Sequence, residues 1–68
     1  MANAPYTRQA LLESIATADA LASTARTAAE YALWSNRSME LRQKAQPTTV
    51  AEEDAIEAVF QSKIATYA

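Results

Sequence analysis

The chain has 68 residues, a formal net charge of −2, and neither cysteine nor histidine. This length predicts a single domain over residues 1–68. Without cysteine there are no disulfides or thiolate metal sites, and without histidine the usual zinc and haem ligands are missing, so no metal or cofactor is expected. The small negative charge argues against nucleic-acid binding, which requires clustered Lys and Arg.

The first predicted element is a long helix over about residues 5–45. Pro5 suits the first position of a helix, because its missing N–H would be unpaired there in any case. From there to Ala45 the chain is rich in strong helix formers. The polar segment 35–38 is the weakest part, and a kink is expected there if the helix is interrupted. A residue before proline avoids the helical conformation, so the helix should end near Gln46.

The second predicted helix covers about residues 50–66. Thr49 and Glu52 have the spacing of a capping box, in which the hydroxyl and the carboxylate each accept a backbone N–H at the start of a helix. The short connection around Pro47 makes the two helices antiparallel. The chain has no glycine, which also argues for few turns. The predicted fold is therefore all-α: an antiparallel helical hairpin with a long and a short arm.

Apolar residues recur along the long helix at the four-and-three spacing of a coiled-coil seam. The seam consists of Leu11, Ile15, Ala18, Ala22, Ala25, Ala29, Ala32, Asn36 and Met39. Asn36 is the polar exception: it either fixes the register of packed helices or marks the end of the seam. The alternative is a helix that is simply rich in alanine, with a local cluster of large residues near Leu11.

A second set of apolar residues predicts the contact between the two arms. This hairpin core comprises Tyr31, Trp34, Leu41, Ile56, Val59, Phe60 and Ile64. The short arm reaches back only to about Ala28, so the N-terminal half of the long helix is expected to keep an uncovered apolar strip. The predicted interface with a partner comprises Leu11, Leu12, Ile15, Ala18, Leu21, Ala22, Ala25 and Ala29.

The residue types argue against an enzyme. No histidine is present to act as a base, and no glycine is present to form a phosphate-binding loop. Glu53 and Glu57 lie four residues apart, as a metal-binding pair could, but a solvated acidic face explains them better. No catalytic residue, substrate site or metal site is predicted.

The leading hypothesis is a helical assembly subunit that forms a homo-oligomer or joins a larger complex through the alanine-rich seam. One alternative is a small regulator or co-chaperone that docks its N-terminal helix face on a target protein. Another is an RNA-binding hairpin, for which Arg37 and Arg42 would be the contacts. With neither a signal peptide nor an apolar run of about 18 residues, a cytoplasmic location is expected. Leaderless export and incorporation into a virion stay open.

Overall fold

The computed structural model describes residues 7–68, which form three helices: α1 (Arg8–Ser23), α2 (Ala28–Ala45) and α3 (Val50–Tyr67). Within this range there is no strand, which confirms the all-α class. The predicted start near Pro5 lies outside the described residues. Inside them, α1 begins at Arg8, and the hydroxyl of Thr7 accepts the N–H of Ala10 at 3.0 Å.

The prediction of one unbroken helix up to residue 45 is wrong, because the chain turns back between α1 and α2. Thr24 ends α1: both its N–H and its hydroxyl donate to the carbonyl of Ala20, at 3.0 and 2.8 Å. A hydroxyl that bonds the backbone in this way competes with helix propagation. No break occurs at residues 35–38, which lie inside α2.

Side-chain caps also define the start of α2. The hydroxyl of Thr27 accepts the N–H of Glu30 at 3.1 Å, and the Glu30 carboxylate accepts the N–H of Arg26 at 3.1 Å. Thr27 and Glu30 have the same spacing as Thr49 and Glu52, so the start of α2 carried a sequence signal that the alanine-rich surroundings obscured.

The predictions around α3 are confirmed. Gln46 adopts an extended conformation and ends α2, as expected before a proline. The hydroxyl of Thr49 accepts the N–H of Glu52 at 3.1 Å, and the Glu52 carboxylate accepts the N–H of Thr49 at 3.0 Å, which completes the capping box. The helix ends at Tyr67, one residue beyond the predicted end.

The three helices pack around α1. Buried side chains from all of them form one core, which consists of Leu12, Ile15, Ala16, Leu41, Ala45 and Ile56. α1 packs against both other helices, whereas no two Cα atoms of the described residues of α2 and α3 lie within 8 Å of each other. This corrects the two-arm hairpin: α3 folds onto α1, and α2 and α3 diverge.

The first turns of α1 and α3 are joined by an exposed ion pair. The guanidinium of Arg8 donates to both carboxylate oxygens of Glu52, at 2.8 and 3.0 Å, and to the carbonyl of Pro47 at 2.9 Å. The hydrogen bond from Arg8, assisted by that from the Thr49 backbone, lowers the pKa of Glu52 from its ordinary 4.5 to about 2. Arg8 therefore connects the start of α1 to the loop and to the cap of α3.

This ion pair predicts a loss of stability in acid. Because the pKa of Glu52 is lower in the folded chain than in the unfolded chain, its contribution is complete above pH 4.5 and disappears as the pH falls towards 2. Thermal unfolding followed by circular dichroism from pH 6 to pH 2 should show a smaller decrease in Tm for Glu52→Gln than for the wild type. Asp54→Asn, an exposed carboxylate in the same turn, should keep the wild-type decrease. Parallel pH profiles for all three proteins would contradict this role.

Candidate interaction surfaces

Three of the eight residues of the predicted interface are buried inside the molecule. Leu12, Ile15 and Ala18 are buried, which corrects the expectation that this strip is uncovered. They are buried because the turn after Ser23 lets both α2 and α3 pack on α1, which an unbroken helix would not allow. The remaining members are half-buried except Ala29, which is exposed: Leu11, Leu21, Ala22, Ala25 and Ala29.

The residues of the predicted hairpin core do not form one cluster, because α2 and α3 diverge. Leu41 and Ile56 are buried, and both contribute to the core around α1. The half-buried members are Trp34, Val59, Phe60 and Ile64. Tyr31 is 56% exposed, because α3 does not approach the N-terminal half of α2.

The N-terminal half of α2 projects beyond the core. Residues 28–37 include no buried side chain, and the three buried residues of α2 lie between Ser38 and Ala45. Exposed residues three or four positions apart share one side of this helix. This side, the α2 outer surface, consists of Ala29, Ala32, Leu33, Asn36, Met39 and Glu40.

The α2 outer surface contains the part of the predicted seam that the fold leaves uncovered. Its large members, Leu33 and Met39, are 62% and 60% exposed. Sequence reasoning did not assign Leu33 to either predicted set. The capping signal at Thr27 and Glu30 could have indicated that Leu33 is exposed. A separate helix that begins at residue 28 folds back on α1 and leaves the side with Leu33 in contact with solvent.

An open groove of about 320 Å³, the α2–α3 groove, separates those two helices. Its floor includes the small side chains of α1 at Ala22 and Ser23. One wall, on α2, includes Tyr31 and Ser35, and the other, on α3, includes Glu53, Glu57 and Phe60. The groove thus combines two aromatic rings with carboxylates.

A polar network crosses the end of the α2–α3 groove and connects all three helices. Asp19 accepts hydrogen bonds from the Ser38 hydroxyl and from the Arg42 guanidinium, the latter at 2.8 Å. The other terminal nitrogen of Arg42 lies 3.5 Å from the Glu53 carboxylate, which also accepts the Thr48 hydroxyl. The hydrogen bond to Asp19 raises the pKa of Arg42 above its ordinary value. Arg42 is therefore a structural cation with two acidic neighbours.

A second groove, of about 390 Å³, lies between α1 and α2 on another side of the molecule. Leu21 from the predicted interface and Trp34 from the predicted hairpin core both line it, together with Glu13 and Arg37. The predicted interface and the predicted hairpin core therefore each contribute a residue to the same groove, Leu21 from α1 and Trp34 from α2.

Among residues 7–68, no three acidic side chains come together in a way that could hold a metal ion. None of the helices in this range is long and apolar enough to cross a membrane. A scan against protein-family models and searches of curated proteins and of solved structures found no match to this chain.

Proposed function

We propose that this protein is a helical assembly subunit that self-associates through the α2 outer surface. The observation that carries the proposal is the exposure of Leu33 and Met39, at 62% and 60%, on a side of α2 whose residues are all exposed. Helix packing is thus the mode of action, as in the hypothesis from the sequence, but the interface lies on α2 instead of α1.

The balance of apolar side chains supports association. Among residues 7–68, four large hydrophobic side chains are buried, namely Leu12, Ile15, Leu41 and Ile56, and four others are more than half exposed. A domain of this size buries only about 60% of the surface of its unfolded chain, so small folds commonly gain stability from an oligomer. Covering Leu33 or Met39 in an interface would contribute about 1–2 kcal/mol each to association. This is less than for full burial of such a side chain, because both are already partly covered.

The rest of the α2 outer surface suits a helix as the partner. Ala29 and Ala32 allow a second helix axis to approach towards the short end of the usual 8–10 Å range. Asn36, between them and Met39, is the type of polar residue that fixes the register of packed helices. A second copy is the simplest source of such a helix, because most soluble oligomers contain identical subunits.

Paired substitutions on the α2 outer surface test the proposal. Leu33→Asp combined with Met39→Asp should convert an oligomer into a monomer, because association would bury two unpaired carboxylates. Analytical ultracentrifugation at micromolar concentrations measures the change, and circular dichroism verifies that the helices persist. The matched control is Val50→Asp, at a residue that is 79% exposed, begins α3 and is not part of the α2 outer surface.

The outcome separates self-association from the other hypotheses. A wild-type chain that stays monomeric up to about 100 µM would contradict a homo-oligomer. Its free energy of association would then be weaker than about −5.5 kcal/mol. An oligomer that survives both aspartates would place the interface elsewhere on the chain.

A further inference from the structure

The two large apolar side chains of the α2 outer surface are placed symmetrically about Asn36. Leu33 lies three residues before Asn36 and Met39 lies three residues after it. Each is therefore displaced by about 4.5 Å along the helix axis and by about 60° around it, in opposite directions. A two-fold axis through Asn36, perpendicular to the helix, would place Leu33 of one copy beside Met39 of an antiparallel second copy.

The same symmetry pairs small side chains with long ones. Ala32 and Glu40 lie four residues before and after Asn36, and all three are exposed. Ala29 and Gln43, also exposed, lie seven residues before and after it. In an antiparallel pair, the alanines of one copy would leave room for the glutamate and the glutamine of the other. A parallel pair would instead place each residue beside its own counterpart, including one glutamate beside another.

The charges near the α2 outer surface permit a contact between identical copies. Glu40 is the one ionic residue of this surface, and its carboxylate lies 3.6 Å from the guanidinium of Arg37 on the same helix. Neither copy therefore brings a net charge to the contact. In the antiparallel pair the two Glu40 residues would lie about 12 Å apart along the helix axis, which exceeds the screening length of about 8 Å at physiological salt.

The fold leaves this side of α2 accessible to a second helix. Leu41 and Ala45 belong to the core that α2 forms with α1. Asn36 lies nine residues before Ala45, which corresponds to a rotation of about 180° around the helix. A second copy would therefore approach Asn36 from the side opposite α1.

We propose that two copies pair their α2 helices antiparallel about a two-fold axis at Asn36. The inference rests on the proposed function and adds the orientation and register of the contact. Leu33 of each copy packs beside Met39 of the other, and the two Asn36 carboxamides, each with donors and an acceptor, hydrogen-bond one another at the centre. A shift in register would separate these amides, which is how one buried asparagine specifies the alignment of packed helices. The contact is isologous and closed, so the product is a dimer.

Single cysteines test the register, because the chain has none of its own. Asn36→Cys should form a disulfide-linked dimer when copper phenanthroline is the oxidant, since the axis brings residue 36 of both copies within the separation of about 7 Å between Cα atoms that a disulfide tolerates. Ala29→Cys is the matched control: it is exposed on the same side of α2, but its counterpart would lie about 21 Å away along the axis. Non-reducing electrophoresis should show a shift to twice the 7.4 kDa mass of the chain for Asn36→Cys alone.

Opposite charges at the axis supply a second test. Asn36→Asp and Asn36→Lys should each weaken self-association at least about tenfold, because the axis places two like charges side by side. An equimolar mixture of these two variants should associate within about twofold of the wild type. Ser62→Asp and Ser62→Lys, on the exposed surface of α3, are the controls and should leave association within about twofold, separately or mixed. Sedimentation equilibrium measures the affinities, and circular dichroism verifies the fold of each variant.

The outcomes separate this arrangement from the proposed function. A disulfide-linked dimer for Asn36→Cys but not for Ala29→Cys, with association restored in the mixture of charged variants, would support the antiparallel pair. An oligomer in which Ala29→Cys links as readily as Asn36→Cys would overturn it in favour of a parallel pair, and the proposed function would stand. An oligomer that Asn36→Asp does not weaken would also overturn it. A wild-type chain that is monomeric at all concentrations would contradict both proposals.

Discussion

Replacing Ile15 with alanine is expected to lower the free energy of unfolding by about 2–5 kcal/mol, the usual range for a buried isoleucine. Its side chain is completely buried and belongs to the core that α1 forms with both other helices. Total stability is about 5–15 kcal/mol for ordinary domains, so the loss would remove a large part of it. Urea or thermal unfolding followed at 222 nm measures the change.

The matched control for Ile15→Ala is Val50→Ala, an apolar truncation at a side chain that is 79% exposed. It should change the free energy of unfolding by less than about 0.5 kcal/mol, as surface substitutions usually do. If Ile15→Ala cost no more than this control, α1 would not be the helix around which the other two pack.

Replacing Asp19 with alanine is expected to cost about 1–2 kcal/mol. Asp19 accepts hydrogen bonds from Ser38, which is 5% exposed, and from Arg42, so its removal leaves a buried hydroxyl without its acceptor and leaves Arg42 with Glu53 alone. The expected loss in the free energy of unfolding is smaller than for a fully buried ion pair, because water screens the partly exposed carboxylate and guanidinium.

The control for Asp19→Ala is Glu13→Ala, an exposed carboxylate on the same helix whose side chain accepts a hydrogen bond from Gln9. It should be close to neutral in the same unfolding experiment. A double-mutant cycle with Ser38→Ala should give non-additive losses, since both substitutions remove the same hydrogen bond. Additive losses would show that Asp19 and Ser38 stabilise the fold independently.

The sequence by itself determined the features that depend on a few neighbouring residues. The all-α class, the end of α2 at Gln46 and the start of α3 at Val50 follow from helix propensity, from the restriction before Pro47 and from the capping box at Thr49. The break before α2 is equally local, since Thr27 and Glu30 form a cap there. It escaped prediction because alanines on both sides of it favour a continuous helix.

Only the tertiary structure decided which apolar residues are covered. Alanine is compatible with a seam, a core or a solvated helix surface, so the four-and-three pattern alone could not distinguish Ala18, which is buried, from Ala29, which is exposed. That distinction depends on where α2 crosses α1 after the turn. For the same reason the sequence could show that Glu53 and Glu57 share a face of α3, but not that they line a groove with Tyr31 from α2. Residues distant in sequence meet there because α2 and α3 each pack on α1 and diverge from one another.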